Sequence, residues 1–209
     1  MKLRIIFFTS LLLFFFSCKK KDCDLPEEAQ FNQAYYPLTP GSYWIYQWYR
    51  VDTLGNEWIM ENTVDTIRVL KDTLIDGNIY AKIRDYNTVE NSEPAIYFRR
   101  DSSGHLVDQR NNIFFSSGNF VDILHHVFSP GLFEINFKMD IPTHRISTPI
   151  GEYDCLNFQG EVIPIISTSW DKRYLNNFFS KGVGLVMETT FFFSSEYNME
   201  RRLTEYHIE

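Results

Sequence analysis

The chain has 209 residues and a formal net charge of −7, from 20 Lys and Arg against 27 Asp and Glu. This acidic balance argues against a nucleic-acid partner, because little basic surface is available to replace phosphate counterions. Three cysteines are too few for a fold built on disulfides. The length allows one domain, or two small ones, with a real hydrophobic core, and the 19 Phe, 12 Tyr and 4 Trp favour β-structure.

Residues 1–17 have the pattern of an export signal. Lys2 and Arg4 form a short positive region, and residues 5–16 are almost entirely apolar. This run is long enough for the core of a signal peptide but too short to span a bilayer comfortably, which takes ~20 residues. We therefore expect residues 1–17 to direct export and to be removed.

The end of this signal resembles the lipobox of bacterial lipoproteins. Phe15 is an apolar residue at position −3, Ser17 is a small residue at −1, and Cys18 follows at +1. The resemblance implies cleavage between Ser17 and Cys18, attachment of a diacylglyceryl group to the Cys18 thiol and acylation of the new amine. Two or three acyl chains hold a protein at a membrane far more firmly than one chain. The alternatives are an uncleaved helix or a soluble secreted product.

Residues 18–30 are predicted to be the lipidated cysteine and a flexible tether, since they are mostly polar and charged. Lys19–Lys21 could rest on anionic lipid head groups or could simply be solvated. The lipid itself would make the membrane a partner and would place the protein in the cell envelope, most simply at the outer membrane. Acidic residues soon after the lipidated cysteine are typical of lipoproteins exported to the cell surface. Here Asp22 and Asp24 come only after three lysines, so the choice between the periplasmic and the surface face of the membrane stays open.

The remaining cysteines, Cys23 and Cys155, could form a disulfide in an oxidising compartment, which would stabilise the fold by ~4 kcal/mol in the chain-entropy model. In the alternative, Cys155 is a small buried apolar residue and Cys23 is a thiol on the tether. The position of Cys23 on a tether favours the second interpretation.

Residues 31–209 show hydrophobic alternation with a period of two, which predicts β-strands. In one strand Ile67 and Val69 share a face, and in another Ile79, Ala81 and Ile83 do. The stretch Tyr43–Tyr49 is aromatic on both faces, as in a strand covered on both sides. Two short segments are the only helix candidates, at Val121–Phe128 and Lys172–Phe179.

Turn-forming residues separate these strands. Such turns occur at Asp76–Asn78, Asp101–Gly104, Ser116–Asn119, Ser129–Gly131 and Pro149–Gly151. The pattern predicts a single all-β domain of roughly ten to twelve antiparallel strands, arranged as a curved open sheet, a barrel or a sandwich.

Four segments in this domain resemble small secreted lipoproteins of Bacteroidota, in the order typical of that group. They are YFPL-x-x-G-x-x-W-x-Y at Tyr36–Tyr46 (without the Phe), DT-x-x-x-G-x-x-Y at Asp72–Tyr80, TP-x-G-x-[FY]-x-C at Thr148–Cys155, and GVGLV at Gly182–Val186. The resemblance implies an all-β lipoprotein with a curved sheet like that of lipoprotein carriers, and it brings no catalytic residues. From the residues alone, Trp44 suits the core and Tyr46 the core or rim.

Known catalytic and metal-binding motifs are missing from the sequence. It has no HExxH, no paired CxxC, no EF-hand loop and no GxSxG, so we expect no catalytic residues, no metal site and no cofactor. His125 and His126 are adjacent and should face opposite sides of a strand. His126 and His144 could converge on Asp122 or Asp140, depending on the fold.

Three Asp-Thr pairs resemble the D-[ST]-apolar acceptor of the periplasmic O-glycosylation system of Bacteroidota. The threonines are Thr53, Thr66 and Thr73. Modification requires an exposed hydroxyl, and the alternative is three ordinary strand residues.

Two hypotheses of function follow. In the first, the protein is a membrane-anchored envelope lipoprotein whose β-domain is structural or binds an unknown protein, glycan or lipid without catalysis. In the second, it is an envelope hydrolase, for example one directed at glycans, with carboxylates or histidines in a cleft. A concave aromatic surface would favour the first, and a buried His-acid pair or two facing carboxylates would favour the second.

Overall fold

The computed structural model describes residues 35–89, 93–166, 172–192 and 195–209. Ser17, Cys18 and Cys23 lie outside these ranges, so the export signal, the lipid site and the tether of residues 18–30 remain predictions. Within the described ranges no helix is long and apolar enough to cross a membrane.

The described chain forms twelve strands. They are β1 (Tyr43–Val51), β2 (Glu57–Ile75), β3 (Asn78–Tyr86), β4 (Ala95–Ser102), β5 (His105–Val107), β6 (Ile113–Ser116), β7 (His125–Ser129), β8 (Phe133–Thr148), β9 (Gly151–Pro164), β10 (Arg173–Ser180), β11 (Gly184–Phe191) and β12 (Asn198–His207). The prediction of an all-β fold with ten to twelve antiparallel strands is confirmed.

The strands form one sheet in the order β6-β5-β4-β3-β2-β1-β12-β11-β10-β9-β8-β7. Apart from β6 and β7, which do not pair with each other, each strand pairs with its chain neighbours, and the first and last strands pair in the middle of the sheet. The edge strands β6 and β7 are therefore consecutive in the chain. The sheet curls into a nearly closed barrel, and the gap between β6 and β7 is its seam. The Phe114 and His125 rings face each other across the seam with centroids 5.4 Å apart.

Hairpin turns lie where the sequence predicts them. Asp76 and Gly77 connect β2 to β3 with φ angles of 47° and 79°, and Ser103 and Gly104 connect β4 to β5 with φ angles of 52° and 84°. Positive φ at both central positions is the geometry of a type I′ turn, whose twist matches that of the flanking strands. Glycine adopts positive φ angles without steric cost, which explains why it occupies the second central position of each turn.

Neither of the two short helix candidates forms a helix. The segment Val121–Phe128 runs into β7, and Lys172–Phe179 lies almost entirely in β10. Both segments are rich in aromatic and β-branched residues, and strand pairing within the barrel outweighs the weak helical periodicity of such short stretches.

The inner face of β1 is the aromatic centre of the barrel. Trp44, Tyr46 and Trp48 point inward and are buried, whereas the alternate residues are half-buried. The strand is thus fully covered on one face only, and Tyr46 belongs to the core rather than the rim. Ile67 and Val69 are buried as predicted, but Ile79 is exposed because it sits at the tip of the β2–β3 hairpin.

Two of the lipoprotein-like segments meet inside the barrel. Trp44 Nε1 donates a hydrogen bond to the Val183 carbonyl oxygen at 2.6 Å, and Tyr46 Oη donates to the Leu185 carbonyl oxygen at 2.9 Å. Gly184 lies between these acceptors with φ +101°, and a Cβ there would stand 3.1 Å from Trp44 Nε1. The glycine therefore permits both the backbone conformation and the close approach of the indole.

The chain enters the domain along the inner face of the barrel. The Tyr36 ring centroid lies 4.5 Å from that of Phe179 and 5.8 Å from that of Phe115, and Tyr35 also packs on Phe115 at 5.5 Å. Leu38 packs against the buried core as well. Tyr35, Tyr36 and Leu38, at the start of the described chain, are thus part of the barrel interior.

Candidate functional site

The barrel encloses a partly open cavity of about 340 Å³. Strands β4 and β6–β11 contribute to its wall, together with Tyr36 from the entering segment. Six of the lining residues have the aromatic side chains Tyr36, Tyr97, Phe114, Phe137, Phe158 and Phe179, and Arg99, His125, Asn177, Glu188, Thr189 and Thr190 add polar groups. A concave cavity that combines apolar walls with polar groups is the usual form of a small-molecule site.

Strand register explains one wall of the cavity. Phe137 on β8 lies opposite Gly160 on β9. A Cβ at Gly160 would stand 2.5 Å from Phe137 Cε1, so only glycine lets this ring lie over the neighbouring strand. The ring then stacks on Phe158, with centroids 5.1 Å apart and planes inclined by 14°. This pair forms a flat aromatic surface inside the barrel.

Arg99 is the cationic side chain of the cavity wall. Its guanidinium carbon lies 3.7 Å from the Phe114 ring centroid and 4.6 Å from that of Tyr97. Nη1 donates to the Phe98 carbonyl oxygen at 3.0 Å. Among the described residues no carboxylate lies within 4.0 Å of this guanidinium. Arg99 is half-buried, so its charge is held by rings and one carbonyl rather than by an acid.

His125 lies between two phenylalanine rings of the same wall, 5.4 Å from Phe114 and 5.9 Å from Phe137. Burial lowers the pKa of His125 below its ordinary value of 6.5, and the charge of Asp108 only partly opposes this. The side chain is therefore mainly neutral at pH 7 and adds a polar but uncharged group to the cavity.

A charged cluster of four inward-facing residues lies beside the cavity: Asp65, Asp85, Glu188 and Arg201. Arg201 Nη1 lies 2.9 Å from Asp85 Oδ1 and 3.5 Å from Asp65 Oδ2, and its Nε lies 2.8 Å from Glu188 Oε1. Burial by itself would lower the pKa of Arg201, but Glu188 and Asp85 raise it well above its ordinary value. Glu188 also lines the cavity and so joins the two regions.

Asp65 is fully buried and receives several hydrogen bonds. Trp48 Nε1 donates to Oδ2, while the Thr88 amide and hydroxyl donate to Oδ1 at 2.9 and 2.7 Å. These neutral donors stabilise a carboxylate that shares one arginine with two other acids. The charged cluster is therefore a buried part of the core in which ion pairs and neutral donors together balance the carboxylate of Asp65.

The histidines considered from sequence do not form one site. His125 faces inward, and His126 faces outward, as predicted for adjacent strand residues, with Nε2 3.4 Å from Glu134 Oε2. His144 instead pairs with Asp140 at 2.9 Å. Convergence of His126 and His144 on one acid is therefore not observed. Over the ranges that the structure describes, no group of three or more potential ligands is arranged to hold a metal ion.

Cys155 is fully buried, and burial, assisted by the charge of Asp154, raises the pKa of its thiol to about 12. Its Sγ lies 3.7 Å from the Tyr153 carbonyl oxygen. This environment suits the interpretation of Cys155 as a small apolar core residue. Pairing with Cys23 remains untested, because Cys23 lies outside the described residues.

The three candidate O-glycosylation threonines differ in exposure. Thr53 is exposed in the turn after β1, where Asp52 accepts hydrogen bonds from Leu54 and Asn56. Thr66 and Thr73 are half-buried within β2, and the Thr73 hydroxyl itself is buried. In the folded domain only Thr53 meets the requirement for exposure, so it is the best of the three candidates.

Sequence reasoning missed the inward-facing charges. A signal exists for two of them: Asp65 alternates with buried Ile67 and Val69, and Arg201 alternates with buried Met199 and Leu203. A charged residue within a row of inward apolar residues marks either a buried ion pair or a site. For Arg99 the neighbouring residues give no comparable signal.

Comparison with solved structures identifies two similar proteins. A protein from Bacteroides fragilis, described as exported and as having a YmcC-like fold, has a TM-score of 0.51 and 12% sequence identity, covering 83% of this chain and 98% of its own. A protein from Parabacteroides distasonis, described as a lipoprotein, has a TM-score of 0.46 and 14% identity, with the same coverage of 83% and 98%. The first similarity shows that the two proteins share a fold. No family model and no curated protein matches the chain.

Proposed function

We propose that this protein is a lipid-anchored lipoprotein of the cell envelope whose barrel binds a small, mainly apolar molecule without catalysing a reaction. The observation that carries the proposal is the cavity of about 340 Å³, whose wall includes six aromatic rings. Aromatic side chains supply a large contact area at low entropic cost, and the few polar groups can orient a ligand.

The sequence and the path of the chain support the anchor. Cys18 ends a lipobox-like signal, and the described chain begins with Tyr35 and Tyr36 packed inside the barrel. Residues 19–35 can span at most ~60 Å when fully extended. A lipid on Cys18 would therefore keep the cavity close to the membrane, most simply the outer membrane.

The polar groups of the cavity favour binding over hydrolysis. In the described part of the chain, no acid lies within hydrogen-bond distance of His125, and Glu188 is engaged by Arg201. A hydrolase would need a positioned base or two facing carboxylates with room for water between them. We therefore prefer a binding role for the barrel.

The binding proposal can be tested with the neutral fluorophore N-phenylnaphthylamine. Val127 on β7 lines the cavity, whereas the adjacent His126 is exposed on the outer face. We expect the wild-type protein to bind the probe with one saturable site, Val127→Trp to lose that site by filling it, and His126→Trp to retain it. No saturable binding to the wild type, or unchanged binding by Val127→Trp, would contradict the proposal.

The anchor is tested separately by replacing Cys18. We expect Cys18→Ala to carry no acyl chains and to keep its signal segment, so that its N-terminus is that of the uncleaved chain. If the variant still fractionates with membranes and has the same N-terminus as the wild type, the lipoprotein assignment is wrong.

A further inference from the structure

We infer that the cavity selects a small amphipathic carboxylate, whose charged group pairs with Arg99 while its apolar body lies against the aromatic wall. The inference rests on the proposed binding function and adds the class of ligand to it. Arg99 carries it, because this residue is a half-buried cation without an acid within 4.0 Å in the described residues.

The half-buried position of the Arg99 guanidinium costs free energy unless an anion balances its charge. Burying a cation without a paired anion is unfavourable, whereas apolar residues of similar volume would pack without that cost. Arg201, on the same inner face, meets this requirement with Asp85, Asp65 and Glu188. Arg99 has no such carboxylate partner among the described residues. Its charge therefore adds little to the stability of the barrel and is suited to pair with an external anion.

The geometry of Arg99 also favours a planar anion. The guanidinium is held against Phe114 and Tyr97, and Nη1 uses one of its protons on the Phe98 carbonyl oxygen. An arginine has five N–H donors in a rigid fork, so several remain for a ligand. A carboxylate can accept two parallel hydrogen bonds from such a fork.

The volume of the cavity limits the rest of the ligand. A space of about 340 Å³ corresponds to ~10 water molecules at ~30 Å³ each. This suits a fused ring system or a medium-length acyl chain, while any larger part of a ligand would have to extend through the open side of the cavity. Glu188 is the competing charge in the same cavity, but its Oε1 is 2.8 Å from Arg201 Nε, which offsets its effect on an anion.

The test compares three ligands that share a naphthalene ring: naphthoate, naphthol and naphthylmethylamine. Each is titrated calorimetrically into the wild type, Arg99→Gln, Arg99→Lys and Arg100→Gln. Arg100 is the adjacent residue on β4, faces the other side of the strand and stacks on Tyr80 at 5.3 Å, so it is a matched control. Circular dichroism verifies that each variant is folded.

We expect the wild type and Arg100→Gln to bind naphthoate about tenfold or more tightly than naphthol, since a charge-assisted pair is worth that much. Arg99→Gln should lose this preference while still binding naphthol. Arg99→Lys should keep part of it, because the charge remains and the fork is lost. If Arg99→Gln does not fold, the ligand preference of the wild type and the Arg99→Lys result still decide the question.

The two proposals fail in different ways. If naphthol binds the wild type as tightly as naphthoate, or if Arg99→Gln keeps the preference, the carboxylate inference is wrong and the binding cavity stands. If naphthylmethylamine binds most tightly, Glu188 selects a cation and the inference is also wrong. If none of the three ligands binds, both the inference and the proposed binding function fail.

Discussion

Arg201 and Arg99 point into the same barrel, yet the regions around them differ. Arg201 is fully buried, contacts three carboxylates and lies 4.9 Å over the Tyr46 ring. Arg99 is half-buried, contacts rings and a carbonyl, and faces a cavity. Both are inward-facing arginines on antiparallel strands, so the difference arises from what the surrounding strands contribute.

The side of the barrel around β1, β2, β11 and β12 is closely packed. There Trp44 fits against Gly184, and Asp65 is surrounded by hydrogen-bond donors. The side around β4 and β6–β10 contains the seam and most of the cavity wall. The first region holds the barrel together, and the second holds a cation without a carboxylate partner among the described residues within reach of a ligand, as functional sites commonly do.

The largest loss of stability is expected when the charged cluster is broken. Arg201→Met should lower the free energy of unfolding by ~3–5 kcal/mol, because three carboxylates then lose their buried cation. Urea denaturation at pH 7 measures the loss.

Arg202 provides the control for this prediction. It follows Arg201 on β12 but faces outward, where it pairs with Glu57 and Glu200. Arg202→Met should cost only ~1 kcal/mol, because partly exposed ion pairs contribute little. Equal losses in the two variants would show that the cluster is not the stabilising region that the structure indicates.

A smaller effect is expected from the contact between Trp44 and Gly184. Gly184→Ala should lower the free energy of unfolding by ~2–3 kcal/mol, since the new Cβ meets both an unfavourable backbone conformation and the indole. Gly182 has φ +76° with no atom within 4 Å of the position that a Cβ would occupy, so Gly182→Ala isolates the backbone cost of ~1 kcal/mol. If both variants lose the same stability, the close approach to Trp44 contributes nothing.

On the cavity side we expect almost no loss of stability. Arg99→Met removes a half-buried charge that has no carboxylate partner among the described residues, so the free energy of unfolding should stay within ~1 kcal/mol of the wild type or rise. Urea denaturation alongside Arg201→Met compares the two arginines directly. A loss as large as that of Arg201→Met would mean that Arg99 is a structural residue.

Much of the fold could be predicted from local patterns. The turn at Asp76 and Gly77 was recognisable because its φ angles demand those residue types, and the alternation of Ile67 and Val69 gave the inward face. The pairing of β1 with β12 and the seam between β6 and β7 could not be predicted, because they depend on contacts across the whole chain. The local pattern also left a helix possible at Lys172–Phe179, whereas pairing with β9 and β11 makes this segment a strand.

The candidate site was harder to predict than the fold. Arg201 and Asp85 are 116 residues apart, and only the closed sheet brings them together. From sequence both Arg99 and Arg201 are charged residues in alternating strands, and whether carboxylates surround them depends on strand order and register. The apolar wall has the same origin, since Phe137 lies over Gly160 only in the observed register of β8 and β9.

The smallest effect concerns His125 and the pH dependence of stability. Because burial lowers the pKa of His125 in the folded state, the unfolded chain takes up the proton more readily. The neutral His125 side chain therefore contributes to the stability of the folded wild type at pH values above its ordinary pKa of ~6.5. This contribution is lost as the pH falls below that value. His125→Gln removes the titrating group, so the fall in unfolding free energy between pH 7 and pH 5 should be smaller than in the wild type. His126→Gln, a change to the exposed neighbour on the outer face, should leave the His125 contribution in place. If both variants show the wild-type pH dependence, His125 is not held neutral between the rings of Phe114 and Phe137, and the cavity side is more open to water than the charged cluster opposite it.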